Sequence, residues 1–376
     1  MKNVLLIIQK LSNGGAEKAI TNLANSLKNR YNLTMVVFDN SIKEYKPEVD
    51  IIDLKTPESK NILKKIHHFI IRIYKVKKIK KKLRIDCTIS FLPGPNIVNV
   101  LSRYKDKTII SIRNIQSKLN KSKLRNLINQ ISFNKADRII PVSEMVYSDL
   151  KKTYSINDKK VQVIYNLINL EQVQKKTYEK IDEKELLENE LKIINIGRLI
   201  PQKGQWHLIK IFKKIQEKYP KAKLIILGRG DLESELKKLA KILKIEKNVI
   251  FLGFKENPYK YLYKSDIFIS TSNFEGMSNV ILEAMACGLP IIASDCLGGN
   301  REILYPDNGV LFPSLSENID FSDSISNEEN EVADLVINLF ENKSKFEFYK
   351  IASKNRIKDF SIENIIEKWI SVIEEI

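Results

Sequence analysis

At 376 residues the chain has room for two domains, each large enough to bury a core. Its 43% hydrophobic and 29% charged residues exclude a disordered chain, a collagen-like fibre and a multi-span membrane protein. The formal net charge is +17, yet residues 1–166 carry 33 Lys and Arg against 13 Asp and Glu, so the whole excess lies in the first half.

Taken in chain order, the first apolar run (4–8) is too short for a signal peptide and is expected as a buried strand. Ser12-Asn13-Gly14-Gly15-Ala16-Glu17 then opens a helix over 16–28. Strands are predicted over 33–38, 50–54, 87–92, 108–112, 138–142 and 161–164, with a further helix over 119–134. Between them, residues 60–84 hold 11 basic residues and no acidic one. Ile62, Leu63, Ile66, Phe69, Ile70, Ile73, Val76 and Ile79 recur at three- and four-residue steps, which predicts an amphipathic basic helix. A solvated outer helix, a contact with anionic lipid headgroups and nucleic-acid binding all suit such a segment. Lipid is favoured, at about 1 kcal/mol per Lys or Arg near the surface. Nucleic acid wants interleaved aromatics, and only Phe69 and Tyr74 are present.

In the second half strands are predicted over 192–196, 223–227, 249–252, 267–270, 291–294 and 310–312, alternating with helices. Apolar strands separated by helices imply βαβ units, hence an α/β protein of two doubly wound parallel-sheet domains, with the junction expected in the polar stretch 166–190. Residues 314–330 are acidic and Ser/Asn-rich and read as a surface loop. A terminal helix from Ser361 places Ile362, Ile365, Ile366, Trp369 and Ile373 on one stripe. No apolar run approaches the roughly 18 residues of a membrane span. Cys87, Cys287 and Cys296 are too scattered for a disulfide framework or a zinc site, which points to a reducing cytoplasm.

The chemistry concentrates in residues 272–303. A strand ends at Ser270, a loop carries Glu275 and Gly276, and a helix is predicted over 277–287, stopped by Gly288 and Pro290. Its start, Met277 to Asn279, suits an anion such as phosphate, and Glu283 lies about two turns in, near the sugar end of a nucleotide bound there. Alone, this Glu-x7-Glu spacing equally suits a plain strand–loop–helix connection with two surface glutamates. It is accompanied by Asn195-Ile196-Gly197-Arg198-Leu199 and Gln202-Lys203-Gly204, whose forked guanidinium and point ammonium fit a diphosphate. Gly14-Gly15 and Gly228-Arg229-Gly230 are incomplete phosphate-loop patterns that ordinary turns explain as well.

The order and spacing of Gly14-Gly15-Ala16-Glu17, Ile196 to Leu199, Lys203-Gly204, Gly253, and Glu275-Gly276 through Glu283 to Pro290 resemble glycosyltransferase family 4, retaining enzymes of the GT-B fold. The resemblance implies two Rossmann-like domains facing a cleft. An acceptor-side domain would span 1–168 and a nucleotide-sugar donor domain 169–360, with a terminal helix over 361–376 crossing back to the first. It implies that Arg198 and Lys203 neutralise the leaving diphosphate and that Glu275 contacts the transferred sugar. Gly276, Met277, Ser278 and Asn279 would line sugar and phosphates, Glu283 the ribose, Gly253 and Phe254 the base, and Gly15 beside Gly14 the phosphates. The chain lacks an Asp-x-Asp metal motif, so metal-independent transfer with no cofactor is expected.

One departure stands out. Many relatives carry a histidine after the strand that here ends Ser111-Ile112, where this chain has Arg113-Asn114; His67, His68 and His207 lie elsewhere. Ser-x-Arg-Asn resembles a subset of bacterial polysaccharide enzymes, so Arg113 and Asn114 are expected acceptor or sugar contacts, with a structural role open for them; Phe91-Leu92-Pro93-Gly94-Pro95-Asn96 is a second acceptor-side loop candidate by position only, with Asn96 its expected contact. The expected activity is transfer of a hexose or N-acetylhexosamine from a UDP-sugar to a lipid-linked saccharide in cell-surface glycan assembly. It would take place in the cytoplasm, at the inner face of an anionic membrane, without nucleic acid. An epimerase on the same scaffold and a non-catalytic anionic-surface binding module are the alternatives.

Overall fold

The computed structural model describes residues 1–12, 14–42, 44–119, 122–181, 183 and 191–375. By its internal packing the chain divides into one unit of Met1–Leu167 with Ile362–Ile376 and another of Ile168–Ser361.

In the first unit the apolar runs become six parallel strands: β1 (Asn3–Ile8), β2 (Asn32–Val37), β3 (Asp50–Asp53), β4 (Cys87–Phe91), β5 (Lys107–Ile112) and β6 (Arg138–Pro141), in the order β3-β2-β1-β4-β5-β6. Successive side chains of a strand point to opposite faces, and β1 shows the consequence. Val4, Leu6 and Ile8 pack with the helix Gly15–Leu27 and the terminal helix Ile362–Glu374, while Leu5 and Ile7 pack with Val76 of the helix Ile62–Lys82. The terminal stripe is buried in this core, with the Trp369 ring 6.1 Å from Phe91, and Tyr31 donates a 2.8 Å hydrogen bond to Glu374.

The second unit repeats the plan with β7 (Lys192–Ile196), β8 (Lys223–Leu227), β9 (Val249–Gly253), β10 (Ile267–Ser270), β11 (Ile291–Ser294) and β12 (Val310–Phe312), in the order β12-β11-β10-β7-β8-β9. Strand order reverses between β1 and β4 in one sheet and between β7 and β10 in the other. Open α/β sheets bind ligands beyond the carboxyl ends of the strands at such a reversal.

Four expectations need correction. Residues 161–164 form no strand; Val161 makes a single bridge to Ile139, because this segment lies along the sheet edge and leaves Val161 and Val163 half-buried. The helix expected over 119–134 is two pieces, Gln116–Leu119 and Lys123–Lys135; residues 120 and 121 fall outside the described residues, as do Asn13 of the first loop and 182 and 184–190 of the expected junction. The acidic loop ends early, since Ser326 and Glu329 form a reciprocal cap that starts a helix at Asn327.

The basic helix is present over Ile62–Lys82, but its apolar residues do not form one buried face. Phe69, Ile73, Val76 and Ile79 pack inward, whereas Ile62, Leu63, Ile66, Ile70 and Tyr74 are exposed, Leu63 by 74%. Lys80 is fully buried against Asp106, at 2.8 Å, and donates to both the carbonyl and the side-chain oxygen of Asn99. Among the described residues no helix is long and apolar enough to cross a membrane.

Candidate active site

The densest cluster of chemistry-bearing side chains lies at the carboxyl edge of the second sheet, where β7 and β10 meet. After β7 the chain passes Gly197 and Arg198, makes one 3-10 turn over Pro201–Lys203, and enters the helix Gln205–Lys218 through Gly204. Gly204 has φ 59°, and a methyl group there would come within 2.3 Å of the Thr271 carbonyl. Only glycine allows this close left-handed turn.

The loop after β10 is sewn to that turn. Thr271 Oγ1 donates to the carbonyls of Lys203 (3.2 Å) and Gly204 (2.9 Å), Asn273 Nδ2 to Pro201 (3.0 Å), and Gln202 Nε2 to the Phe274 carbonyl (2.9 Å). These bonds bring Lys203 and Glu275, far apart in sequence, into an ion pair that is mostly buried. Ser272 Oγ donates a 2.8 Å hydrogen bond to the same carboxylate oxygen. On the other side Gly298, at φ 144°, lets the backbone pass so close that a methyl group would sit 1.9 Å from the Glu275 carbonyl.

Arg198 is exposed and has no ion pair or side-chain hydrogen bond within the described structure. Its backbone is held, since Gln205 Nε2 donates to its carbonyl at 3.1 Å and Leu199 N to that of Arg229 at 3.0 Å. Its backbone is thus fixed five residues before Lys203, and its guanidinium is free among the described residues.

The following helix spans Asn279–Ala286, two residues shorter at its start than expected. Glu283 therefore stands about one turn in rather than two, and it is buried. Ser278 occupies the N-cap but makes no capping bond, and its hydroxyl is buried without a partner. A buried unsatisfied hydroxyl in a native fold asks for a missing ligand atom or water. Gly253 ends β9 at φ 67°, its carbonyl accepting from Gly228 N, and Phe254 beside it is half-buried. Burial, with the Glu275 charge adding, pushes the Cys296 thiol up to about 12, and burial does the same for Cys87, so neither is a nucleophile at neutral pH.

Residues 13–172 match the family model described as Glycosyltransferase Family 4, and residues 177–336 match that of Glycosyl transferases group 1. An uncharacterised glycosyltransferase of Methanocaldococcus jannaschii is 32% identical over 86% of this chain and 87% of its own. A Campylobacter jejuni enzyme, N-acetylgalactosamine-N,N'-diacetylbacillosaminyl-diphospho-undecaprenol 4-alpha-N-acetylgalactosaminyltransferase, is 32% identical over 85% of this chain and 88% of its own. The chain belongs to this glycosyltransferase family. The fold of the glycosyltransferase is GT-B: the Anabaena protein HepE, crystallised with UDP and glucose, superposes with a TM-score of 0.81 at 18% identity over the full length of both chains.

In the first unit of the glycosyltransferase, Gly14 and Gly15 open the first helix without a side-chain cap. The Glu17 carboxylate folds back over Gly14, where a methyl group would lie 2.0 Å from its oxygen. Arg113 follows β5, half-buried, its guanidinium 4.7 Å from the centre of the Phe91 ring, 3.4 Å from Ser111 Oγ and bonded to Asn166. Asn114 Oδ1 accepts from Ile115 N at 2.9 Å.

Asn96 is 2% exposed, accepts from Ser90 Oγ (2.8 Å) and donates to the Ser111 carbonyl (3.2 Å), so its amide braces β4 against β5. Ser272 and Gly298 were missed by sequence reasoning, and Phe91 was singled out only by position, without its contact to Arg113. The Gly298-Gly299 pair was the available signal for a close backbone approach; Ser272 carries none.

Proposed function

We propose that this glycosyltransferase moves a hexose or N-acetylhexosamine, with retention, from a UDP-sugar to a lipid-linked saccharide during cell-surface glycan assembly. The observation that carries the reading is the Lys203–Glu275 pair, fixed by two interlocked loops at the reversal of the second sheet, with the unpaired Arg198 five residues before Lys203 in the same turn. The acceptor class rests on the undecaprenol diphosphate saccharide in the Campylobacter relative's name, and the donor class on the UDP found with HepE.

Breaking the bond from sugar C1 to the diphosphate oxygen builds negative charge on the phosphate and positive charge on the ring. Arg198 and Lys203 stabilise the first, and preorganised charges in a dry site are among the strongest catalytic devices. Lys203 has three donors, so it reaches a phosphate without leaving Glu275. Glu275, oriented by Ser272 and Lys203, accepts from a hydroxyl of the transferred sugar. Gly276, Met277, Ser278 and Asn279 line the sugar and phosphates, with the unpartnered Ser278 hydroxyl a ready donor. Glu283 takes the ribose, Gly253 and Phe254 the base, and Gly14 and Gly15 offer backbone to phosphate. With no protein nucleophile, the acceptor hydroxyl attacks C1 on the face the diphosphate leaves, and its proton passes to the departing phosphate oxygen. Two protein cations take the part a divalent metal plays elsewhere, so transfer proceeds without one. Arg113 and Asn114 contact the acceptor or the transferred sugar.

The protein acts in the cytoplasm at an anionic membrane. The exposed stripe Ile62, Ile66, Ile70 and Tyr74, flanked by Lys64, Lys65, Lys77 and Lys78, suits insertion between headgroups rather than a solvated face. Incubation with UDP-sugars and a lipid-linked saccharide tests the reaction: the acceptor gains one sugar with the parent chain. Turnover by Glu275→Ala equal to the parent's would remove the catalytic assignment. Retention on liposomes containing anionic lipid at low salt, lost at high salt, tests the membrane part; no retention refutes it.

A further inference from the structure

We propose that Arg113 is an anion receptor of the first unit, whose guanidinium takes a phosphate group of a substrate. The proposal rests on the transferase reading above for the identity of the substrates, and on the following geometry for the site.

Several cations of the first unit have a carboxylate near them. Lys80 is paired with Asp106, Arg103 with Asp137, and Arg72, which lies over the Phe38 ring, feels Glu58 and Asp39. Arg113 differs. Its contacts are all neutral: the Phe91 ring face, Ser111 Oγ and the Asn166 side-chain oxygen. No carboxylate pairs with it among the described residues, and burial alone pushes its pKa down to about 9. Removing a cation from water without a counter-charge is costly, and native folds rarely leave it so unless something else supplies the anion.

Arg113 lines, with Leu92, Pro93, Asn96, Ser111 and Gln116, a cavity of about 10 Å³ at the carboxyl edge of β4 and β5, room for one water molecule beside the guanidinium. Leu92 in that wall has φ 79° and ψ 152°, a conformation that side chains other than glycine's avoid, and such strain gathers where a fold holds a ligand. The Phe91 face fixes the plane of the guanidinium, and a planar fork of donors matches two oxygens of a tetrahedral phosphate. That phosphate arrives either on the nucleotide or on the diphosphate of a lipid-linked acceptor.

The test uses the full chain with Arg113→Gln and Arg113→Lys. UDP affinity is measured by calorimetry, and KM on two acceptors, a saccharide on a lipid diphosphate and the same saccharide on a phosphate-free alkyl chain. The expected result is a tenfold or greater rise either in the UDP dissociation constant or in KM for the diphosphate acceptor alone, with kcat and Tm little changed and partial recovery in Arg113→Lys. The first outcome places the nucleotide's phosphate at Arg113, the second the acceptor's. Unchanged UDP affinity with equal loss on both acceptors, or no loss on either, overturns the proposal. Inorganic pyrophosphate, titrated in an Arg198→Gln background, needs no turnover: Arg113→Gln must weaken it tenfold, and equal affinity overturns the inference. A parent chain that binds pyrophosphate through Arg113 yet transfers no sugar would instead contradict the transferase reading.

Discussion

Glu275 carries a charge whose surroundings are unusually well defined: one oxygen held by both Lys203 and Ser272, its backbone N–H bonded to the Leu297 carbonyl at 3.0 Å. Glu275→Gln keeps the shape and removes the charge, and we expect kcat to fall by about a hundredfold or more, with a lower thermal midpoint because the mostly buried Lys203 ammonium loses its carboxylate. Steady-state kinetics beside a melting curve check both. Gly298→Ala acts through backbone: a methyl 1.9 Å from the Glu275 carbonyl forces that loop to move. It should lose about 1–3 kcal/mol of stability in urea unfolding, together with activity. At this scale the sequence was legible where a motif sits at the end of a strand, as with Arg198 after β7 and Glu275 after β10. It was silent on contacts made across the fold, because nothing local marks Ser272 as the partner of Glu275 or Arg113 as a cation without a carboxylate. Asn96 is a further case, a polar residue whose bonds to neighbouring strands nothing local in the sequence marks.

The basic helix teaches the element-scale lesson. Its period was readable, but not which apolar residues turn inward, because that depends on what the helix lies against. Twenty-one residues extend about 31 Å, whereas strands of four to six residues reach about 13–20 Å. The helix follows β3 and returns to β4, so it outruns the sheet. Arg72 and Lys75 reach back to Thr56 and Leu54 just past β3, and the residues before them project beyond the sheet's carboxyl edge. Replacing Ile62, Ile66 and Ile70 together by Ser should abolish retention on anionic liposomes and change stability by no more than about 0.5 kcal/mol per site. Buried anchoring predicts the converse for Asp106→Asn. It strands the Lys80 ammonium, whose pKa burial already lowers, and should destabilise the first unit by about 3–5 kcal/mol in urea unfolding. Lys80→Met with Asp106→Leu should recover most of that. The acidic loop offers a pH counterpart. Lys210 and hydrogen bonds from Ser322 hold Asp320 down at about 2, below its ordinary 3.8. A depressed carboxylate stabilises above its unfolded pKa, so this contribution is complete above about pH 4 and disappears as pH falls toward 2. Proteolysis of 313–326 should accelerate through that window, and an Asp320→Asn variant should show no such step.

For the molecule as a whole, the fold was legible in outline because buried parallel strands read as unbroken apolar runs, and twelve of the thirteen expected segments became strands. The division of labour also follows from composition: basic residues gather in the unit with the exposed apolar helix, while the second, near-neutral unit holds the Arg198, Lys203 and Glu275 cluster. A ligand bound only by the folded protein raises stability by about 2.7 kcal/mol at one hundred times its dissociation constant, so saturating UDP should raise the melting temperature of the parent. We propose that Arg198 and Lys203 hold the diphosphate of the donor. Calorimetric titration of UDP into the parent and into an Arg198→Gln, Lys203→Gln double variant tests it most directly. Saturable binding to the parent and at least a hundredfold weaker binding to the variant are expected; equal affinity in the two proteins would overturn the assignment of Arg198 and Lys203.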